Sequence, residues 1–566
     1  MNTPNRFSSR RAAVLVSAAL LSVATYAQSD LPNLPLTSLS RPAGWQLAGG
    51  LTTGPDGSVL KPGTAGQSGN SVLIGGREPL TLVTPTDDFR LRFEMLMTAG
   101  ADVVLSLPGG SPLSFARSSE LARLLKAPGL WQTVEVWYKT GNAQKPPVLE
   151  KLVLNHVTVR EGQTLTGKVG GPATLAATNG SVAVRNVGYR VLSPRAVARW
   201  SGPLSYTIYE GENAKRDDLT GKKVLKQDTS TSVNYEVAYG QPRRYSILFS
   251  GKLNALQAGD YRFDLHQGGI AGLYVDGKAL IPATYHDLGQ PETRTTNLTA
   301  GPHDVVVFFT RSWARPGLGL FVSQAGTRPQ PLHALASLPD PDPVGVISVQ
   351  PESRPQLIRS FVQMPGEKTK RTHSLSVGSP TGRHYTLDLN QMTLLQAWKG
   401  DFADATEMWY ERGEPQLLTP MGTVVRLSAQ PALAVLTDAD AVWPDSLGEN
   451  ALHYNGLMLN KAGEPTIEYA LAGATVTDAL RPAEEGLTRT LTISGSPAGT
   501  VYCRVAAGTS LEEVGKGLYA LNDRSYYVRF DPKAKIKLRQ SGDKQEILLP
   551  VTVKNGTGSV QYSVLF

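Results

Sequence analysis

Residues 245–281, YSILFSGKLNALQAGDYRFDLHQGGIAGLYVDGKALI, indicate the type of fold. Apolar and polar residues alternate in residues 245–249 and again in residues 261–265. A third apolar run is followed at once by the turn pair Asp276-Gly277. Alternation of period two with an Asp-Gly turn is typical of antiparallel hairpins that bury one face of a sheet. The stretch therefore predicts an all-β fold.

The whole composition agrees with a multidomain globular protein. The chain has 566 residues, too many for one hydrophobic core and enough for about three or four domains. It is 41% apolar and 18% charged, which excludes a disordered chain. The formal net charge is +8, but no dense cluster of Lys and Arg is interleaved with aromatic residues. We therefore expect no nucleic-acid partner.

The first 27 residues read as a signal peptide. Three arginines precede the apolar stretch 12–23, which is too short to span a bilayer, and a small-x-Ala site ends at Ala27. The sequence thus predicts a periplasmic or secreted protein by the general or the twin-arginine route, with no transmembrane segment. The mature chain has one cysteine, Cys503, within an alternating run, so we expect a buried structural thiol and no intrachain disulfide.

Residues 40–195 show the pattern of a β-sandwich. Alternating strands are predicted at residues 89–95 and 131–138, and the strands of residues 152–159 are broken by an Asn-His pair at a hairpin turn. Residues 119–126, SELARLLK, give the one short helical pattern.

The segments DDFRLRFEM, PGLWQTVEVWYK, LVLNHVTVREG and SVAVRNVGYRVL of this region resemble 3-keto-disaccharide hydrolases (the DUF1080 family). The resemblance covers residues 40–195 and implies a concanavalin-like jelly-roll sandwich that acts on glycosidic bonds. The sequence departs from the family in the middle of the region, because no strand matches the family's glutamate-bearing strand in the cleft.

Glycoside hydrolysis by the common route needs two carboxylates at a set distance. No strand of this region carries two acids two residues apart, as a single-strand pair would require. The candidate catalytic residues are therefore Asp102, Glu94 and Glu135, on separate strands. The alternatives stay open: Glu94 and Glu135 occupy the polar positions of amphipathic strands, where the alternative is that they face solvent, and Asp102 is either a turn cap or a cleft acid.

Residues 204–325 resemble a PA14 domain, a β-barrel module of secreted glycosidases, adhesins and toxins. The resemblance rests on YTIYEG, AGDYRF, LYVDGK, HDVVVFF and LGLF in the family's order. Sugar-binding members hold calcium through consecutive aspartates, but the matching loop 266–270 (HQGGI) has no carboxylate, so we expect no metal site there. The pair His286-Asp287 and Trp313 are predicted in loops, where an exposed Trp either stacks on a sugar or packs locally.

A Pro-rich linker is predicted at residues 326–355, and a C-terminal β-sandwich at residues 356–566. Within the latter, the segment LLQAWKGDFADATEMWYERG resembles a domain of unassigned activity in large exported bacterial proteins. The resemblance supplies no chemistry. The segment concentrates aromatic and charged side chains, the usual means of carbohydrate recognition. The predicted ligand-binding residues are Trp398, Asp401, Asp404, Trp409 and Arg412, with a packed corner as the alternative.

Two functions are compatible with these patterns. The first is a glycan hydrolase with the jelly roll as its catalytic part and the PA14-like module as an accessory. The second is a non-catalytic carbohydrate-binding or cell-surface assembly protein that keeps the folds without the acid sites. Both predict an oligosaccharide or polysaccharide partner, with other exported proteins as further partners, and no cofactor or metal.

Overall fold

The computed structural model describes residues 31–54, 56–63, 71–142, 144–341, 343–410 and 416–566. The predicted signal peptide and Arg412 lie outside these residues. The chain forms two compact units: one is Ser193–Val346, and the other joins Leu31–Leu192 with Ile347–Phe566. The predicted domain boundaries stay predictions.

Residues 31–192 form a two-sheet sandwich. Its strands are β1 (Gln46–Ala48), β2 (Gly50–Thr53), β3 (Leu60–Gly63), β4 (Val72–Gly75), β5 (Leu80–Val83), β6 (Phe89–Met97), β7 (Asp102–Ser106), β8 (Leu113–Ser114), β9 (Trp131–Lys139), β10 (Val148–Leu154), β11 (Val157–Thr164), β12 (Ala173–Asn179) and β13 (Val182–Val191), with a 3-10 turn at Leu36–Ser38 and helix α1 at Ser119–Ala122. A seven-stranded sheet, β1-β4-β13-β6-β9-β10-β11, faces a four-stranded sheet, β5-β12-β7-β8, and β2 pairs with β3 in a separate two-stranded sheet. Alternate residues such as Phe93 and Val134 from the first sheet and Leu105 and Leu175 from the second form one core.

Residues 193–346 form one curled sheet. Its strands are β14 (Ala198–Trp200), β15 (Leu204–Glu210), β16 (Val224–Ser230), β17 (Tyr245–Ala255), β18 (Gly259–Val275), β19 (Lys278–His286), β20 (Glu292–Leu298), β21 (Gly301–Thr310), β22 (Gly317–Ser323) and β23 (Gln330–Pro331), with 3-10 turns at Arg216–Leu219, Tyr235–Ala238 and Leu335–Ser337. Strand β18 pairs with β20 and β22 along its first half and with β19 and β21 along its second half. The inward side chains therefore enclose a single core.

The Gly-rich segment that was predicted as a loop is the middle of β18. Strand β18 changes its partner strands at this point, and two glycines allow neighbouring backbone to approach it closely. A Cβ on Gly268 would lie 2.0 Å from the carbonyl oxygen of Arg315, and Gly269 has a φ of +133°. The loop prediction was wrong because glycine in a strand also marks a site of close backbone contact. The predicted Asp276-Gly277 turn is present, with φ of 49° and 78°.

Residues 347–566 form three sheets. Their strands are β24 (Ser348–Val349), β25 (Gln356–Val362), β26 (Arg371–Gly378), β27 (Arg383–Asp388), β28 (Thr393–Asp404), β29 (Thr419–Arg426), β30 (Leu433–Leu436), β31 (Leu452–Leu459), β32 (Pro465–Leu471), β33 (Ala474–Ala483), β34 (Gly486–Ser494), β35 (Thr500–Gly508), β36 (Leu511–Gly515), β37 (Leu518–Leu521), β38 (Tyr526–Phe530), β39 (Lys537–Ser541), β40 (Lys544–Pro550) and β41 (Thr557–Leu565), with helix α2 at Thr406–Trp409. One core, which includes Leu387, Tyr469 and Ile547, draws on all three sheets. Cys503 lies in it, fully buried as predicted, and burial raises the pKa of its thiol to about 12.

The N-terminal sandwich and the C-terminal sheets share a small apolar contact. Ala127 and Leu130, which lie between α1 and β9, pack against Leu518, Tyr527 and Leu565. The contact explains why these distant parts of the chain form one compact unit.

The all-β prediction is confirmed, with a sandwich, a curled sheet and packed sheets where a jelly roll, a barrel and a second sandwich were expected. In the part of the chain that the structure describes, no helix has the length and apolarity needed to cross a bilayer.

Candidate functional sites

The structure brings Glu94 and Glu135 together on the outward face of the seven-stranded sheet. Strands β6 and β9 are neighbours, and Glu94 lies opposite Thr133 while Glu135 lies opposite Arg92. The two glutamates are therefore diagonal neighbours on one face, a relation that places their Cα atoms about 7–8 Å apart. Glycosidases need two carboxyl groups on one face, and this pair meets that first requirement.

Each of these glutamates accepts a charged hydrogen bond. Arg185 Nε donates to Glu94 Oε2 at 2.8 Å, and Arg90 Nη2 donates to Glu135 Oε2 at 3.0 Å. The Arg90 guanidinium also lies 4.5 Å from the centre of the Trp137 ring. Charge-assisted bonds favour the carboxylate anion, whereas the common glycosidase route needs one protonated carboxyl group. As it stands, the pair suits the binding of hydroxyl groups better than proton donation.

Lys126 and His156 extend this acidic face, and the sequence did not single them out as site residues. His156 is the second residue of the Asn155-His156 turn between β10 and β11, where φ is 49° and 68°. Positive φ at both central residues matches the two-residue hairpin turn expected from the Asn-His pair. Asn155 holds the turn in place, because its side-chain amide donates to the carbonyl oxygen of Leu124 at 3.0 Å and its own N–H donates to the carbonyl oxygen of Thr133 at 2.8 Å.

The pKa values of the Lys126 and His156 side chains are both lowered. Partial enclosure of the half-buried Lys126 lowers its pKa to about 8, although the nearby Glu94 carboxylate raises it. The residue His156 is exposed overall, yet crowding around its ring is the largest cause of a lowered pKa, and the Lys126 charge adds to it. An ammonium group and an imidazole, both with lowered pKa values, thus lie near the two glutamates. No local motif predicts this, because Lys126 and Glu94 come from separate segments.

Asp102 does not join this group. It begins β7 in the opposite, four-stranded sheet, where it is 5% exposed. Ser114 Oγ donates to it at 2.5 Å, Thr178 Oγ1 at 3.0 Å, and Arg117 Nε lies 2.9 Å away. Burial opposes ionisation, but these hydrogen bonds and the Arg117 charge together lower the pKa of Asp102. Its oxygens are occupied, so the position favours the structural alternative of the sequence analysis.

The segment around Trp398 is mainly a packed corner. Trp398 is fully buried on β28, its Nε1 donates to the carbonyl oxygen of Phe402 at 2.7 Å, and the two rings stack at 5.7 Å. No ring face remains for a ligand, so the predicted stacking role of Trp398 is contradicted. Asp401 pairs with Arg123 at 2.6 Å, and Asp404 accepts from the Thr406 N–H at 2.8 Å.

The exposed part of this segment is the end of α2. Trp409 is 55% exposed, so its predicted ligand contact stays a prediction. Glu407 lies two residues earlier, and burial, followed by the Asp404 charge, raises its pKa. The next residues, 411–415, lie outside the described chain.

A second candidate site lies in residues 193–346. Trp313, between β21 and β22, is 74% exposed and stacks on Tyr285 of β19 with ring centres 5.7 Å apart. Tyr285 Oη donates to Asp287 Oδ1 at 2.6 Å. Nearby, Glu292 Oε1 lies 2.6 Å from Arg294 Nη2, and its Oε2 lies 3.7 Å from His286 Nε2. An exposed ring face with an acid at its edge is thus present.

No set of three or more His, Cys, Asp or Glu side chains in the described ranges is arranged to hold a metal ion.

Comparisons with known proteins give only local similarity. No family model and no curated protein matches the chain. The PA14 domain of the antifreeze protein MpAFP is 12% identical over 25% of this chain and 91% of that domain, with a TM-score of 0.21. The A domain of epithelial adhesin 9 from Candida glabrata, in complex with Galβ1-4GlcNAc, is 10% identical over 25% of this chain and 94% of that chain, with a TM-score of 0.19.

A β-glucosidase from Kluyveromyces marxianus, in complex with glucose, is 16% identical over 22% of this chain, with a TM-score of 0.19. The aligned part spans 16% of that enzyme's length. Similarities at these scores assign neither a family nor a function to the chain.

Proposed function

We propose that this chain is an exported carbohydrate-binding protein that holds an oligosaccharide on the Trp313–Tyr285 pair. The observation that carries the proposal is the 74% exposure of a tryptophan that is already stacked on a tyrosine. The apolar faces of sugar rings stack on such aromatic rings, and the Asp287 carboxylate at the edge is an acceptor for sugar hydroxyls. Because the aromatic stack is preformed, little conformational entropy is lost when the ligand binds. Export rests on the predicted signal peptide.

The test is binding of the mature protein to a panel of neutral oligosaccharides, measured by calorimetry and by retention on immobilised polysaccharide. Trp313→Ala is expected to weaken binding by about tenfold or more and to leave the melting temperature almost unchanged, because the ring is mostly exposed. Tyr239→Ala is the matched control, since Tyr239 is 70% exposed in the same unit. Equal binding by the two variants and the unmodified protein would overturn the proposal.

A second function, glycoside hydrolysis, is favoured by one specific observation. Glu94 and Glu135 are diagonal neighbours on one face of the sheet, with Lys126 and His156 near them as candidate proton-transfer groups. The resemblance to 3-keto-disaccharide hydrolases adds a substrate class. Guanidinium pairing of both acids is the main argument against it.

Incubation with 3-keto-disaccharides and a polysaccharide panel tests hydrolysis by product release. A hydrolase would lose at least about a hundredfold of its rate in Glu94→Gln or Glu135→Gln, in line with the loss of a general acid or base. Glu161→Gln is the control, because Glu161 is exposed on the neighbouring β11. Absence of product with the unmodified protein would contradict hydrolysis of these substrates.

A further inference from the structure

A cavity of about 290 Å³ lies within the unit that joins residues 31–192 and 347–566. Segments next to α1 line one side of it, and strand residues of the C-terminal sheets line the other. Its charged lining consists of three basic residues, Lys126, Arg383 and Lys399, and two acidic residues, Glu484 and Glu485. The volume is close to the lower end of the range for small-molecule sites, about 300 Å³, and suits one sugar ring.

The three basic groups lack carboxylate partners. Lys399 Nζ donates to the carbonyl oxygen of Leu125 at 3.1 Å, and Arg383 Nη1 donates to that of Thr381 at 2.8 Å. Arg383 Nη2 donates to the backbone carbonyl oxygen of Glu484, and Arg383 Nε is buried with no hydrogen-bond partner among the described atoms. Within the described ranges, neither these two cations nor Lys126 forms an ion pair. Neutral carbonyl groups therefore hold Lys399 and Arg383, and the carboxylates that act on the two lysines, Glu94 and Glu485, do so from beyond ion-pair distance.

The two glutamates of the lining form no ion pair with these cations, and Glu485 acts on Lys399 only from a distance. Both residues are exposed, whereas the three basic residues are half-buried. Glu485 lies 3.7 Å from Arg529 outside the cluster. An incompletely solvated cation without a partner is unfavourable, and an anion of the right size would remove that cost.

The lowered pKa values of Lys399 and Lys126 agree with incomplete solvation of these cations. Burial lowers the pKa of Lys399, and the neighbouring Arg383 charge lowers it further, while Glu485 opposes both. Burial lowers the pKa of Lys126 to about 8. A bound anion would favour the charged form of both lysines.

The uncharged polar side chains of the cavity are already occupied. Gln132 Oε1 accepts from the Lys126 N–H at 2.9 Å, and Thr98 Oγ1 accepts from the Ser181 N–H at 3.0 Å. The polar groups that remain for a ligand are thus mainly the cations, so selection in this cavity is by charge.

We propose that this cavity binds the carboxylate of an acidic sugar, a uronic acid residue of an oligosaccharide. A carboxylate is the planar anion that a guanidinium binds through paired hydrogen bonds, two ammonium groups of the lining add positive charge, and the cavity volume suits one sugar ring. The proposal that the ligand is a sugar rests on the proposed function, whereas the proposal that the ligand is an anion rests on the cavity alone. The cavity would make the protein selective for acidic over neutral glycans.

The experiment compares trigalacturonate with galactotriose by calorimetry at low salt, with the mature protein. Inorganic phosphate and sulfate are tested separately to distinguish a free anion from a sugar acid. The unmodified protein is expected to bind trigalacturonate at least about tenfold more tightly than galactotriose. Lys399→Met is expected to remove that preference and leave galactotriose binding unchanged, while Lys399→Arg keeps most of it. Lys537→Met, on an exposed lysine of β39, is the charge-matched control, and melting temperatures verify the fold.

Equal binding of the two trisaccharides, or a preference that survives both Lys399→Met and Lys126→Met in folded protein, overturns the inference. Phosphate or sulfate binding as tight as that of trigalacturonate overturns its sugar part. If galactotriose binding is lost in Trp313→Ala but unaffected by the lysine variants, the proposed function stands, whatever the result at the cavity. Failure of every glycan to bind overturns both.

Discussion

Arg524 Nη1 donates to Thr53 Oγ1 at 2.8 Å, across 471 positions of the chain. The same guanidinium donates to the carbonyl oxygen of Gly129 at 3.3 Å and pairs with Glu512, and its side chain is only 4% exposed. Beside it, Asp523 lies 2.7 Å from Arg185 of the N-terminal sandwich. Hydrogen bonds of two buried guanidinium groups, those of Arg524 and Arg185, therefore hold the sandwich against the C-terminal sheets.

Arg524→Ala is expected to lower the free energy of unfolding by about 3 kcal/mol, because it leaves a buried carbonyl group and Glu512 without their partner. Urea unfolding followed by tryptophan fluorescence measures the change. Arg529→Ala is the control: the Arg529 side chain is 52% exposed, and its loss should cost less than about 0.5 kcal/mol. Equal losses in the two variants would contradict a joining role for Arg524.

Trp398→Ala is expected to cost about 3–5 kcal/mol of stability, because it removes a fully buried ring that stacks on Phe402. Sugar binding per folded molecule should not change. Trp409→Ala, on a ring that is 55% exposed, should change stability by less than about 1 kcal/mol. Denaturant titration and glycan calorimetry of both variants separate the two roles, and a binding defect with intact stability in Trp398→Ala would restore the ligand prediction.

Strand positions were predictable where one face of a sheet is buried. In β6, apolar residues alternate with Arg90, Arg92 and Glu94, so the period of two is plain in the sequence. In β28 the first six residues are all buried, and the alternation disappears. In β28 the sequence offered only the presence of Trp398. Tryptophan occurs both in buried cores and in ligand sites, so its presence did not decide between the two roles.

The candidate sites depend on contacts that no local pattern reports. Glu94 and Glu135 were named as polar residues of amphipathic strands, but their diagonal relation follows from the register of β6 and β9. Lys126 lies near Glu94 because hydrogen bonds with Gln132 and Asn155 hold the segment between α1 and β9 against the sheet. Such networks form only after the strands have paired, so sequence reasoning had no means to find them.

The amine of Lys126 is expected to titrate with a midpoint near pH 8, against about 10.5 for an ordinary lysine. Competitive acylation over pH 6–10, read by mass spectrometry of peptides, measures this midpoint. Glu94→Gln should lower it further, because the Glu94 carboxylate favours the charged ammonium. Glu161→Gln should leave it unchanged, and a rise of the midpoint in Glu94→Gln would contradict the assigned coupling.

The stability of the chain is expected to depend on pH through His384. This residue is 1% exposed, its Nδ1 accepts from the Ser379 N–H at 3.0 Å, and Gly400 O lies 2.9 Å from its Nε2. Since Nδ1 accepts, the neutral ring carries its proton on Nε2 and donates to Gly400. Burial lowers the pKa of His384 to about 4, although the Gly400 carbonyl group opposes the change.

The folded pKa of His384 lies below the unfolded value of about 6.5, so the unfolded state binds more protons between pH 6.5 and 4. Its contribution to stability is therefore complete above pH 6.5 and falls as the pH is lowered, by about 3 kcal/mol at pH 4. Urea unfolding of the unmodified protein and of His384→Gln, repeated from pH 7 to pH 4, isolates this contribution from that of the carboxylates. The slope of stability against pH should be shallower in His384→Gln and unchanged in His453→Gln, whose histidine is exposed. Parallel curves for all three proteins would show that the pKa of His384 is the same in the folded and unfolded states, contrary to its burial and the hydrogen bonds that it makes.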